Sequence, residues 1–299
     1  ATFFIQGQNF GRNDGRNTAW QGAPAIGGDN ANMNAEKWNC NFDVYQDLAG
    51  LPNGFYKVSA QGYYRAGNGG ATSMEQNAYL YAGEASTPLM NINAHAGNAI
   101  FNGGNVSDVP GMGIVPNDMT TASKAFTAGL YADNSITVQV TDGTLRIGVK
   151  KETQIEFDWT IFDNFELTYY GTEEPPMVAP GAYYMKNVGA DKYLVAANSW
   201  GTQASFGVHG LDVQVAFANG KYTIDTNVSN GGANHFLGTN GYVDSPAAEW
   251  TLVEQGDGIF AITADGTNFI GYDGSSSVMS ITLTDAASAN AQWQFVTKD

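Results

Sequence analysis

The chain has 299 residues, 13 basic and 29 acidic side chains, and a formal net charge of −16 at pH 7. Charged residues make up 14%, against roughly 25% in an average soluble protein, while a hydrophobic content of 43% is ample for buried cores. A phosphate-backbone binder needs a basic face and an anionic bilayer repels acidic chains, so nucleic acid and membrane insertion are excluded as expectations; no run of 18 apolar residues reads as a spanning helix.

The single cysteine, Cys40, excludes an intrachain disulfide and a multi-cysteine zinc site, and His95, His209 and His235 lie too far apart for paired-ligand spacing. Glycine (37 residues), aromatic side chains (12%) and Asn are abundant instead. Sugar rings stack on aromatic faces and sugar hydroxyls pair with amides, so the mixture suits a glycan binder; it equally suits a secreted β-protein with no ligand. The opening Ala1–Ile5 lacks the charged segment and apolar stretch of a signal peptide.

In chain order, the segment from Trp20 to Trp38 reads as a loop. From Phe55 to Arg65, Tyr56, Val58, Ala60 and Tyr64 alternate with Lys57, Ser59, Gln61 and Arg65, which predicts a strand with one buried face. A Gly/Asn-rich stretch, about Asn91 to Pro116, reads as a long loop of the functional or mobile kind. Pro116-Asn117-Asp118 can cap a predicted helix carrying Ala122, Ala125 and Phe126, and Gly129 can end it. Ile136, Val138 and Val140, the turn Thr141-Asp142-Gly143-Thr144, and Leu145, Ile147 and Val149 predict a hairpin. A last strand, Ile161 to Tyr169, places Ile161, Phe165, Leu167 and Tyr169 on one face, with Trp159 in the core.

Prolines and acids from Gly171 to Pro180 cannot continue a strand ladder, so 172–180 reads as a linker between domains at 1–171 and 181–299. The net charges of 1–171 and 172–299 are −7 and −9, so neither half is a basic module. After the linker, Gly181-Ala182-Tyr183-Tyr184-Met185, Gly220-Lys221-Tyr222-Thr223-Ile224 and Gly258-Ile259-Phe260-Ala261-Ile262 repeat at spacings of 39 and 38 residues. Each is followed by a second aromatic–aliphatic pair, Tyr193-Leu194, Phe236-Leu237 and Phe269-Ile270. Two repeats close on Trp250 and Trp293, the first on Val213-Gln214-Val215. Units this short cannot each bury a core, so a closed threefold arrangement is expected.

These repeats resemble a ricin-type β-trefoil over about 181–296. The resemblance places sugar-anchoring Asp residues at Val195, Gly238 and Gly271, and puts Ala248 and Ala291 where the family carries Gln. The familiar lectin site is therefore expected to be absent, and Trp250 and Trp293 are expected in the core.

The first half resembles a galactose-binding-domain-like β-sandwich, of the kind found in carbohydrate-binding modules and in surface proteins of gut bacteria. The residues that carry this are Phe42-Asp43-Val44-Tyr45-Gln46-Asp47-Leu48, Leu51-Pro52-Asn53-Gly54-Phe55-Tyr56, Tyr63-Tyr64-Arg65, Gly129-Leu130-Tyr131, Leu145–Lys151 and Trp159–Gly171. Ile5, Phe10 and Trp20 match the family's opening, with Gly7 and Gln8 in place of its Asn-Pro. Together the resemblances imply an all-β chain, a jelly-roll β-sandwich plus a C-terminal β-trefoil. Relatives of the sandwich hold a structural calcium against an Asp at the position of Asp163, and losing the Asn at Gly7 weakens that set. A hydrogen-bonded Asp163 that pins the last strand is the other reading.

Ligands of such sandwiches meet loops at one edge, which points to Trp38, Arg65, Asn68, Trp20 and Glu156 as the ligand-binding set. Trp38 among Asn residues reads as a stacking platform or as a loop anchor. Arg65 reads as a fork onto sugar hydroxyls or a uronate, or as one half of a salt bridge. Acids in the loops leave a glycosidase pair open, but no spacing selects one, and neither Gly-x-Ser-x-Gly nor a phosphate loop is present. The expectation is a noncatalytic, secreted or cell-surface carbohydrate-binding protein with a glycan or polysaccharide partner. The alternative is a structural or adhesive surface protein that recognises a protein, and a third reading is an accessory part of a glycoside hydrolase.

Overall fold

In the computed structural model, which describes residues 4–11 and 15–298, the chain divides between Glu174 and Pro175, inside the Pro-rich segment. Ala1–Phe3 of the opening lie outside the described residues. Val178 is buried in the core of the second unit, where its N–H donates to the Tyr222 hydroxyl at 3.0 Å, so the end of that segment belongs to the trefoil unit.

The strands of the first unit are β1 (Ala25–Asp29), β2 (Asn32–Trp38), β3 (Phe42–Ala49), β4 (Gly54–Arg65), β5 (Tyr79–Ala82), β6 (Ala85–Pro88), β7 (Met90–Asn91), β8 (Val106–Val109), β9 (Gly113–Pro116), β10 (Asn134–Val140), β11 (Thr144–Lys151) and β12 (Trp159–Gly171). One helix, α1 (Met119–Thr127), lies between β9 and β10. One sheet runs β1-β2-β12-β4-β10 with β7 beside β4, and the other runs β3-β11-β5-β6. Val44 and Leu48 of β3, Tyr56 and Val58 of β4, Ile147 and Val149 of β11, and Phe162, Phe165 and Leu167 of β12 fill the space between them.

Several local expectations change. The segment from Trp20 to Trp38 is not a loop: most of it is β1 and β2, paired antiparallel. The turn at Asp142-Gly143 does not make a hairpin: β10 pairs with β4, and β11 lies between β3 and β5 in the other sheet. The turn is a corner between sheets, so the apolar sets on its two sides face each other across the core instead of sharing one face. Within β12, the pairing with β4 slips between Asp163 and Glu166, where Asn164 has a φ of +52°. The bulge reverses the alternation. Ile161 consequently joins a second apolar cluster, while Phe165 and Leu167 enter the main core.

That second cluster explains why Tyr63, Tyr64 and Arg65 are all buried although they alternate faces. The outer face of the β4-containing sheet is roofed by α1 and the segment before it. Ala122, Ala125 and Phe126 of the helix pack with Ile92, Phe101, Val109 and Val115 over Tyr63, Trp159 and Ile161. The long stretch before the helix is thus an ordered cover with its own hairpin, β8–β9, and not an open loop. Of the capping segment Pro116-Asn117-Asp118, it is Asp118 that caps α1, through the Thr121 N–H at 2.7 Å.

The second unit contains β13 (Gly181–Asn187), β14 (Lys192–Ala197), β15 (Gln203–Gly207), β16 (Val213–Ala218), β17 (Lys221–Asp225), β18 (Thr251–Gly256), β19 (Ile259–Thr263), β20 (Phe269–Gly271), β21 (Ser280–Leu283) and β22 (Gln292–Thr297). β13 pairs with β22, joining the first strand to the last. Met185, Ile224 and Ile262, at matching positions of the three repeats, are fully buried in one shared core, the expected threefold arrangement. The Trp250 indole donates to the Leu237 carbonyl at 3.2 Å and the Trp293 indole to the Ile270 carbonyl at 2.9 Å. In the first repeat, which has no Trp at its closing position, the Leu211 N–H donates to the matching carbonyl of Leu194 at 2.8 Å. A backbone group thus satisfies the buried acceptor that the indole serves elsewhere.

Candidate functional site

The ends of β2, β12 and β4 lie side by side, and their register sets Trp38 opposite Trp159 and Trp159 opposite Arg65. Directly paired residues share a face. Trp159 is buried and its indole N–H donates to Glu36 Oε2 at 2.7 Å. Trp38, at the end of β2, is 52% exposed.

Opposite Trp38, residues 152–158 form a tight loop between β11 and β12. Its base is a wholly buried ion pair, Lys151 with Asp158. Asp158 Oδ2 also accepts from the Tyr64 hydroxyl and the Ile155 N–H, each at 3.2 Å. Asn39, in the left-handed region at φ +50°, reaches across: its Oδ1 accepts from the Phe157 N–H at 2.9 Å and the Gln154 amide at 3.1 Å, and its own N–H donates to the Asp158 carbonyl at 2.8 Å. This clamp holds Phe157 at φ +62°, a conformation a bulky side chain rarely adopts. The Phe157 ring, 39% exposed, stacks beside Trp38 with centroids 6.3 Å apart and an interplanar angle of 29°. The result is a fixed, open aromatic platform.

Arg65 holds the surrounding loops together. It is only 6% exposed, with its guanidinium 5.0 Å from the Trp159 ring centroid. Nε donates to the Gly67 carbonyl at 3.1 Å, Nη1 to Asn117 Oδ1 at 2.9 Å, and Nη2 to the Phe157 carbonyl at 3.5 Å. Burial draws its pKa below the ordinary value. The expectation of an Arg65 that forks onto ligand, or onto a neighbouring acid, is therefore corrected: the covered outer face takes it, and carbonyls and an amide satisfy it. Asn68 and Glu156 are exposed on the two loops that Arg65 joins, where Gly67 lies against the Glu156 backbone. The structure thus gathers Trp38, Asn68 and Glu156 at one edge and adds Phe157 and the exposed Asn117.

Trp20 is not part of this edge. It is 5% exposed, its indole N–H donates to the Gly7 carbonyl at 2.9 Å, and its ring packs 4.5 Å from Phe165 and 5.3 Å from Phe10. The large apolar ring is worth more in the core than at a loop edge, so its assignment to the ligand set is corrected.

Asp163 lies on β12 beneath the N-terminal segment. Its Oδ1 accepts from the Phe10 N–H at 2.9 Å, and its buried Oδ2 has no partner among the described residues. Burial pushes its pKa up to about 7, against the opposing pull of backbone N–H groups. Calcium takes six to eight oxygens. The nearby carbonyls of Gly7, Gln8, Asn9 and Gly11 already accept hydrogen bonds from Trp20, Phe165, Gly11 and Asn17, and no trio of acidic, His or Cys side chains gathers among the described residues.

In the trefoil unit, the positions of the familiar sugar-anchoring Asp are sterically closed in two repeats. A Cβ at Gly238 would lie 2.3 Å from that of Ser245, and one at Gly271 would lie 2.1 Å from the Asn290 carbonyl oxygen. Trp200, which hydrophobic alternation gives no reason to single out, stands 90% exposed at φ +68° in the turn between β14 and β15. An aromatic residue set between Asn198-Ser199 and Gly201-Thr202 is the sequence signal that marks it.

No protein-family model matches the chain, and no curated protein matches it significantly. Solved structures do. The Macrolepiota procera ricin B-like lectin in complex with lactose is 11% identical, covering 41% of this chain and 100% of its own, with a TM-score of 0.32. TmCBM61 in complex with β-1,4-galactotriose is 14% identical over 54% of this chain and 98% of its own, with a TM-score of 0.29. A GlcNAcα1-4Gal-releasing endo-β-galactosidase from Clostridium perfringens is 9% identical over 92% and 88%, with a TM-score of 0.38. Likenesses at this level assign no function.

Proposed function

We propose that the chain is a noncatalytic carbohydrate-binding protein, secreted or held at a cell surface, in which a galactose-binding-domain-like sandwich meets the glycan and a ricin-type trefoil follows. The observation that carries this reading is the stacked Trp38–Phe157 pair, exposed by 52% and 39% and locked by Asn39. A sugar ring lays its C–H face on such a surface and turns its hydroxyls to a polar rim. Asn68, Asn117 and Glu156 supply donors and acceptors there, and Arg65 keeps their loops in place. Glycoside hydrolysis works through two carboxylates that flank the bond. Here the platform is an aromatic pair rimmed by two amides and the carboxylate of Glu156, and Glu36 is committed to the Trp159 indole.

A glycan array probed with the full chain tests the proposal. Defined glycan hits that disappear with Trp38→Ala support it. A silent array, together with capture of a protein partner that Trp38→Ala abolishes, replaces it with protein recognition, since an exposed Trp is also a frequent anchor of protein interfaces.

A further inference from the structure

The trefoil unit carries a cleft that neither the platform nor the familiar lectin positions account for. It measures about 430 Å³ and is lined by Thr239, Trp250, Asp265, Asn268, Ile281 and Thr282, where the second and third repeats meet. Small-molecule pockets span roughly 300–1,000 Å³. A second hollow of about 340 Å³ adjoins it and shares Thr239 and Ala264. Val195, Gly238 and Gly271 do not line the cleft.

The floor is apolar, with Trp250 and Ile270 buried and Ile281 half-buried. The rim is polar and held in place. Asp265 Oδ1 accepts from the N–H groups of Thr267 and Asn268 at 2.8 and 2.7 Å, and Oδ2 accepts from the Asn268 amide at 2.7 Å. The Asn268 N–H first, then its amide and the Thr267 N–H, hold the Asp265 carboxyl well below its ordinary range, so it is a permanent acceptor at neutral pH. Among the described residues, Oδ2 keeps a second lone pair, and Asn268 Oδ1 and the hydroxyls of Thr239 and Thr282 have no protein partner.

We propose that this cleft binds one unit of a neutral sugar. The C–H face of the ring rests on Ile281 and the apolar floor, its hydroxyls donate to Asp265 Oδ2 and Asn268 Oδ1, and the two threonines exchange hydrogen bonds with the rest. Charge fixes the class. Asp265 and, in the adjoining hollow, Glu249 repel an anionic sugar, and no Lys or Arg lines either hollow. The proposal does not rest on the platform and survives or fails without it.

The test uses full-length, isotopically labelled protein carrying Trp38→Ala and Phe157→Ala, so that the platform cannot contribute. Methyl glycosides of glucose, galactose, mannose and N-acetylglucosamine are titrated against its amide spectrum, with methyl galacturonoside as the anionic control. At least one neutral glycoside is expected to move the Thr239, Asn268 and Thr282 signals saturably, while the galacturonoside moves none. Thr282→Trp, which fills the cleft from an exposed position, should weaken that binding by about tenfold or more, and Asn268→Ala, which removes one acceptor, by about threefold to tenfold. The proposal is overturned if none of the neutral glycosides moves these signals, if the galacturonoside binds equally well, or if binding persists unchanged in both variants with their spectra otherwise intact.

Discussion

Sealing a carboxyl group from water favours its neutral form, and Asp163 is sealed with one hydrogen bond from Phe10 and a second oxygen unpartnered among the described residues. Burial raises its pKa from 3.8 to about 7. The folded state therefore keeps a proton that the unfolded chain releases. The stability this contributes is fully present below about pH 4 and is lost as the pH rises through about 7. A shift of this size is worth up to about 4 kcal/mol. The melting temperature of the sandwich should fall between about pH 5 and about pH 8, and Asp163→Asn, which keeps the acceptor for Phe10, should flatten that fall. Calcium that raises the melting temperature of the parent but not of Asp163→Asn would show that a cation, not a proton, occupies the unpartnered oxygen.

At the scale of elements, the loop between β11 and β12 depends on the Lys151–Asp158 pair. Breaking a buried pair leaves an uncompensated charge, at a cost of about 3–5 kcal/mol. Asp158→Asn should lose stability by that amount in chemical denaturation, and the apolar pair Lys151→Met with Asp158→Leu should recover most of it. Equal losses in the single and double variants would make the loop's other contacts decisive.

The same elements show what sequence can and cannot supply. The helix is legible because its cap, apolar spacing and closing glycine are local signals, and the threefold repeat is legible because identical solutions recur at a fixed period. The corner at Asp142-Gly143 is not, because a turn between sheets and a hairpin use the same residues; which sheet each strand enters is settled by long-range pairing. Trp38 stands out as a large aromatic among amides. Phe157 does not, because the contact that turns it outward comes from Asn39, 118 positions earlier in the chain. Arg65 looks exposed by alternation because the cover over the outer face comes from residues about 30–60 positions further along.

Over the whole molecule, each unit has its own buried core, one built between two sheets and the other around a threefold axis of repeats. Fragments 1–174 and 175–299 should each melt cooperatively, with Val178 kept in the second fragment. Circular dichroism of the separated fragments checks this, and an unfolded fragment would show that its core is incomplete. The central claim is that an aromatic platform on the sandwich holds a glycan. Its most direct measurement is affinity and melting temperature on one protein, Trp38→Ala, against a glycan that the parent binds. A stacked ring is worth about 1–2 kcal/mol by analogy with aromatic pairs and stacked bases, so the affinity should fall by about 5–30-fold with melting little changed. A large drop in melting temperature, with unchanged affinity in the protein that stays folded, would make Trp38 a structural residue and contradict the account.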